Sequence, residues 1–207
     1  MIAVDTLITF TLTSVLLALA PGPDNLYVVA RSAAHGWRSG VMITLGLCTG
    51  LFGHTALVVL GVASVLQALP LAMTALKLLG ASYLLWLGWA SLMAARRGGV
   101  AQALNGQEGS LYWRGLAMNI SNPKVFIFFL AFLPQFANPA AGSVSVQLVL
   151  LAGIFLLVSL VVFAAMALLA DVLGGRWLQS AVGQRWLNGI SGAVFIGLAI
   201  KLVMAQL

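Results

Sequence analysis

Apolar residues along this chain fall into six long runs, at residues 6–34, 41–66, 71–94, 111–136, 144–170 and 187–205. Each is long enough to cross a bilayer, at about 20 residues per helical crossing. The polar breaks between them are mostly short. Residues 35–40, His35-Gly36-Trp37-Arg38-Ser39-Gly40, form the first turn, and residues 67–70 form the second. The longest break, residues 95–110, carries Arg96-Arg97-Gly98-Gly99 and stays polar through Glu108, which marks it as a hinge between halves. The pattern predicts an all-α integral membrane protein with six transmembrane helices. A first three-helix half covers residues 1–105 and a second covers residues 106–207, together forming one membrane domain.

Composition agrees with this pattern and narrows the class. The 207 residues are 62% hydrophobic and only 7% charged, where a soluble domain is about 25% charged. Residues 7–20 have the length of a signal-peptide core and end in Ala18-Leu19-Ala20. Asp5 stands where a basic flank belongs, however, and Pro21 follows the cut, so the run is read as an uncleaved first span. The formal charge of +6 comes from residues scattered at helix ends, so no nucleic-acid partner is expected. Arg31, Arg38, Arg96, Arg97, Arg114, Arg176 and Arg185 lie in or beside the first, third and fifth loops, while the second and fourth have neither Lys nor Arg. The positive-inside rule makes the first set cytoplasmic and both termini periplasmic. Trp37, Trp113, Trp177 and Trp186 sit near that inner interface. Lys77 and Lys201 lie near the outer ends of their spans and are read as snorkelling.

Two of the six runs are broken from within. The first contains Pro21-Gly22-Pro23-Asp24-Asn25, and the fourth contains Asn119-Ile120-Ser121-Asn122-Pro123-Lys124. Proline removes a backbone donor and clashes with the preceding turn. At membrane depth this is tolerated only where protein or a wet cavity satisfies the freed groups. Asn122 suits an N-cap and Pro123 the first helical position; Gly22 and Pro23 can play the same parts. The two halves also align in order: Pro23-Asp24 with Pro123-Lys124, Gly50-Leu51-Phe52 with Gly153-Ile154-Phe155, and Gly80-Ala81 with Gly192-Ala193. A duplicated unit of three spans must insert upside down the second time, which gives two inverted repeats with helices 1 and 4 broken.

The breaks hold the chemistry. Buried half-helix N-termini attract anions. Asp24 supplies a negative group for an ammonium and Lys124 a positive one for a carboxylate, a combination that suits a zwitterion. Asp24, Asn25, Asn119, Asn122 and Lys124 are the expected substrate-binding residues, and Pro21, Gly22, Pro23 and Pro123 the helix-breaking ones. The competing reading is that Asp24 and Lys124 pair and lock the bundle. Asp24 and His54 are the candidates for a proton relay, with an interhelical hydrogen bond as the alternative for His54. Gly46 and Gly50 form a small-residue face that packs either within the protomer or at a homodimer seam. The aromatics Phe126, Phe128, Phe129 and Phe132 are read as lipid-facing or core.

Leu19-Ala20-Pro21-Gly22-Pro23-Asp24, Gly46-Leu47-Cys48-Thr49-Gly50-Leu51 with His54, Lys77 to Leu84 with Leu87-Gly88, and Asn119 to Lys124 appear in this order. They resemble the lysine-exporter and threonine/homoserine-exporter (LysE/RhtB) family of amino-acid efflux permeases over nearly the whole chain. The resemblance implies a bacterial inner-membrane exporter of amino acids or close derivatives, driven by the proton-motive force.

Other classes find less support in the residues. ATP hydrolysis is not expected, because no G-x-x-x-x-G-K-[ST] loop is present. For a membrane-embedded enzyme the only catalytic parts are Asp24, His54 and Ser121, and their spacing does not unite them. No H-E-x-x-H pair occurs, and no metal or cofactor is expected. A passive channel or structural subunit is the alternative function, but a channel more naturally shows rings of like charge. The lone Cys48 excludes a dithiol relay.

Overall fold

The computed structural model describes residues 2–62, 70–97, 110–173 and 180–204, and among them all regular structure is helical. Helix α1 (Val4–Leu19) and α2 (Pro23–His35) form a pair bent by 61°. Helix α3 (Trp37–Leu57) runs into a π turn at Val58–Val62. Helix α4 spans Pro70–Arg97. Helix α5 (Leu111–Ile120) and α6 (Pro123–Ile127) form a second bent pair, at 49°. The chain continues from α6 through a π turn, Phe128–Phe132, and a 3-10 turn, Leu133–Phe136. Helix α7 covers Val144–Val172 and α8 covers Ala181–Met204. Among the described residues, four helical stretches are long and apolar enough to cross a membrane, and up to six when each bent pair counts as one span.

The bends follow from proline chemistry. A residue before proline is pushed out of the helical region. Ala20 (φ −61°, ψ 119°), Gly22 (φ −157°, ψ 178°) and Asn122 (φ −79°, ψ 107°) each precede a proline, and each is extended.

The spans differ from the hydropathic pattern at their edges. The expected first turn, residues 35–40, is in fact the single residue Gly36, at φ 85°, where a side chain would be strained. Trp37 through Gly40 already belong to α3. Likewise, α8 begins at Ala181, before the apolar run at residue 187, because its opening turns carry polar Gln184 and Arg185. Hydropathy marks what lipid surrounds, whereas backbone bonding continues into the interface. Residues 98–109, which hold most of the expected hinge, and residues 174–179, which hold Arg176 and Trp177, lie outside the described residues. So do the side chains of Lys77 and Lys201. Trp37, Trp113 and Trp186 are exposed on the helix surfaces.

Close helix contacts occur at glycines. A methyl group on Gly46 would collide with the Tyr112 carbonyl, one on Gly115 with the Ile43 carbonyl, and one on Gly50 with the Asn119 side chain. The Gly46/Gly50 face is therefore filled by α5 of the same chain, which overturns the homodimer-seam reading of it. Helices α4 and α8 approach closely at Gly88 and Gly192.

Two separate apolar clusters fill the interior. The larger joins α1, the π turn after α6, α7 and α8 around Phe10, Phe128, Phe132 and Phe155. Its rings pack tightly, with Phe10–Phe136 and Phe128–Phe155 both at 5.0 Å between centroids. The smaller joins α2, α3 and α7 around Tyr27, Val28, Ile43 and Ala167. Of the four aromatics left open between lipid and core, Phe128, Phe129 and Phe132 are core, and only Phe126 is exposed.

Candidate functional site

Both breaks open carbonyls that a continuous helix would have used. An α-helical N–H bonds the carbonyl four residues back. Pro123 therefore leaves the Asn119 carbonyl without its usual donor. Asn122 N–H reaches that carbonyl at 3.0 Å, and His54 Nε2 lies 3.1 Å from it. A carbonyl oxygen only accepts, so this contact places hydrogen on Nε2. At the first break, Asn25 Nδ2 donates to the Ala18 carbonyl at 2.6 Å, and Lys124 Nζ donates to the Ala20 carbonyl at 3.0 Å. These three carbonyls thus each have a side-chain donor, two of them from distant parts of the chain.

The breaks also bind each other. Asn122 caps α6, its Oδ1 accepting from Lys124 N–H at 3.0 Å. Its Nδ2 donates to Asp24 Oδ2 at 2.6 Å. Asp24 and Lys124 are 3% and 8% exposed, so both charges are removed from the surface. They make no direct ion pair: Asp24 Oδ2 accepts from the Asn122 amide, while Lys124 Nζ donates to the Ala20 carbonyl. Gly22 leaves room for that reach, because a methyl group there would sit 3.2 Å from Lys124 Nζ.

A small cavity opens beside this junction. Asp24, Asn119 and Lys124 line it from the two breaks, Leu47 and Cys48 from α3, and Ser159 from α7. The space open to the centre of a water molecule is about 20 Å³, room for a water but not for an amino acid. The cavity lies between the two apolar clusters. Leu17, Leu51 and Phe155 of the larger reach it from one side, and Leu47 and Phe163 of the smaller from the other. Asp24 Oδ1 and Asn119 Oδ1 are buried acceptors without a hydrogen-bond partner. An unsatisfied buried acceptor is costly, and such groups call for a donor from solvent or ligand.

Of the expected site residues, Asp24, Asn119 and Lys124 come together at the cavity. Asn25 and Asn122 serve as braces behind it, with Asn25 Nδ2 also 3.7 Å from the Met166 sulfur. His54 is buried behind Asn119, its ring 6.0 Å from Phe126 and 5.9 Å from Phe129. Ser121 is exposed and bonded to its own helix, so it joins neither Asp24 nor His54. Sequence reasoning missed Ser159, Phe155 and Phe163 as cavity walls. It also missed Arg114, which lies 4.6 Å over the ring of the fully buried Tyr27, three residues beyond Asp24. A charge placed at an inner interface from the sequence is thus also a cation–π contact.

Residues 15–206 match the family model for the LysE type translocator. An uncharacterized membrane protein of Pseudomonas aeruginosa is 34% identical over 208 residues, 96% of this chain and 95% of that protein. A homoserine/homoserine lactone efflux protein of Salmonella typhimurium is 32% identical, covering 95% of each chain. A leucine efflux protein of Klebsiella pneumoniae is 30% identical, covering 96% of this chain and 95% of its own. No solved structure matches the chain. A multi-pass helical chain with two interrupted spans, matched across almost its full length by transporters and by no enzyme among these relatives, belongs to the LysE type translocator family.

Proposed function

We propose that this chain is a secondary exporter of amino acids or close derivatives across the bacterial inner membrane, driven by the proton-motive force. The observation that carries this reading is a cavity lined by both Asp24 and Lys124, one from each broken span. The substrate ammonium supplies hydrogen bonds to the open oxygens Asp24 Oδ1 and Asn119 Oδ1. The substrate carboxylate takes Lys124 and the free N–H groups at the start of α2, which like any helix start lack intrahelical acceptors. The relatives that export homoserine, its lactone and leucine support the same class of cargo.

Access alternates. Apolar clusters close the cavity on two sides, which fits a carrier better than an open channel. Residues 1–105 and 106–207 move as two inverted three-helix repeats around the breaks, with both termini periplasmic. The antiparallel contact of α4 and α8, where Gly88 meets Gly192 and Gly80 approaches Leu202, supports this plan. Asp24 carries the coupling proton and releases it when the substrate ammonium arrives. The test is efflux of labelled amino acids from proteoliposomes with and without an imposed pH gradient. Efflux accelerated by the gradient supports the whole proposal. Efflux indifferent to it removes the coupling, and absence of saturable efflux removes the exporter.

A further inference from the structure

Beyond the head-group contacts, the cavity has a second wall. Helix α7 presents Phe155, Ser159 and Phe163 to it, three residues spaced four apart and therefore on one helix face. Helix α3 presents Leu47, Cys48 and Leu51. Among the described residues, Ser159, 4% exposed, is the one hydroxyl lining the cavity, and Asp24 and Lys124 are its only charged lining residues.

Charge complementarity then restricts the cargo. One acid and one base match one ammonium and one carboxylate. A third charge on a substrate side chain would meet leucines, phenylalanines, a thiol and a hydroxyl, and a buried unpaired charge is strongly disfavoured. Resting on the exporter reading above, we propose that the substrate side chain is uncharged, that it occupies the α3/α7 wall, and that Ser159 is the residue that sets the preference between hydroxylated and aliphatic side chains. The Ser159 hydroxyl lies between two phenylalanines on its own helix, so a substrate hydroxyl finds there its one polar partner on an otherwise apolar wall. An aliphatic side chain of the same shape leaves that hydroxyl unpaired.

Threonine and valine form the deciding pair, because they differ by a hydroxyl in place of a methyl. Full-length protein in proteoliposomes is assayed for efflux of labelled threonine, valine and lysine, and kcat/KM is compared within each variant. The wild type is expected to export threonine in preference to valine and to leave lysine inside. Ser159→Ala is expected to move the threonine-to-valine ratio toward valine by about tenfold while total efflux persists. Ser159→Thr, which keeps a hydroxyl, is expected to hold the wild-type ratio. It also keeps the test decisive where the alanine variant inserts poorly. An unchanged ratio in Ser159→Ala, or an equal fall for both substrates, overturns the role of Ser159. Lysine efflux as fast as that of threonine overturns the uncharged side chain while leaving the exporter reading intact. Wild-type protein that carries none of the three overturns this inference; leucine and homoserine run in the same assay then decide the exporter reading, which fails if neither leaves the vesicles.

Discussion

Asn122 Nδ2 donates to Asp24 Oδ2 at 2.6 Å, joining the two helix breaks across 98 residues of sequence. The same side chain caps α6 through its other atom. Asn122→Ala therefore removes a cap, worth about 1 kcal/mol, and leaves one more buried carboxylate oxygen without a donor, worth about 1–3 kcal/mol. The expected outcome is a clear drop in thermal stability in detergent together with reduced export. Asn122→Asp keeps a capping oxygen but sets a second acid against Asp24, so it is expected to impair export more than alanine does. Export by Asn122→Asp equal to wild type would show that the bridge to Asp24 is dispensable.

Asp24 and Lys124 are both buried near one cavity, so removing one leaves the other uncompensated. Removing one partner of a direct buried pair costs about 3–5 kcal/mol, an upper bound for these two charges, which do not touch, whereas removing both partners is often nearly neutral. Lys124→Met alone is expected to destabilise the protein strongly, all the more because the Ala20 carbonyl loses its donor. Adding Asp24→Asn to Lys124→Met is expected to recover much of that stability without recovering export. A double-mutant cycle on melting temperature and on efflux measures both effects. Efflux restored along with stability would mean the charges only lock the bundle. Asp24→Asn alone carries its own test of coupling: retained, gradient-driven export in that variant would remove Asp24 as the proton carrier.

How far the sequence reached can be seen at the breaks themselves. Pro21, Gly22, Pro23 and Pro123 announced the bends because proline acts on its own backbone and its immediate neighbour, and Asn122 announced a cap for the same local reason. Gly46 and Gly50 announced a close approach but not the neighbour, since a small residue records only that something lies near. Ser159 was silent. Helix α7 is apolar around its whole circumference, so no periodicity told which face looked inward. The pairing of Arg114 with Tyr27 was hidden too, because it joins elements far apart in the chain.

His54 was open between a proton relay and an interhelical contact. Its Nε2 supplies the donor that Pro123 withholds from the Asn119 carbonyl, and it stands behind the cavity rather than in its wall. His54→Phe is therefore expected to lower stability by about 1 kcal/mol, because the buried Asn119 carbonyl keeps only its bond from Asn122 N–H. His54→Gln, which retains a side-chain N–H donor, is expected to recover part of that loss. The pH profile of export is expected to be the same in His54→Gln as in the wild type. A profile that flattens when the imidazole is removed would instead assign His54 to the proton path.

Cys48 offers a readout of opening that needs no engineered residue, since it is the only cysteine in the chain and it lines the cavity. In the closed arrangement it is 6% exposed and the space beside it holds about one water. A small methanethiosulfonate reagent is therefore expected to react slowly with resting protein. Reaction is expected to quicken when a pH gradient and sub-saturating substrate drive cycling, because the cavity must open to one side in each cycle. A transported amino acid at saturating concentration is expected to protect the thiol, since its side chain fills the same α3/α7 wall. Cys48→Ser supplies the unlabelled control. Labelling at one rate under all three conditions would show that the cavity does not open during transport, and the substrate path would have to be sought elsewhere in the fold.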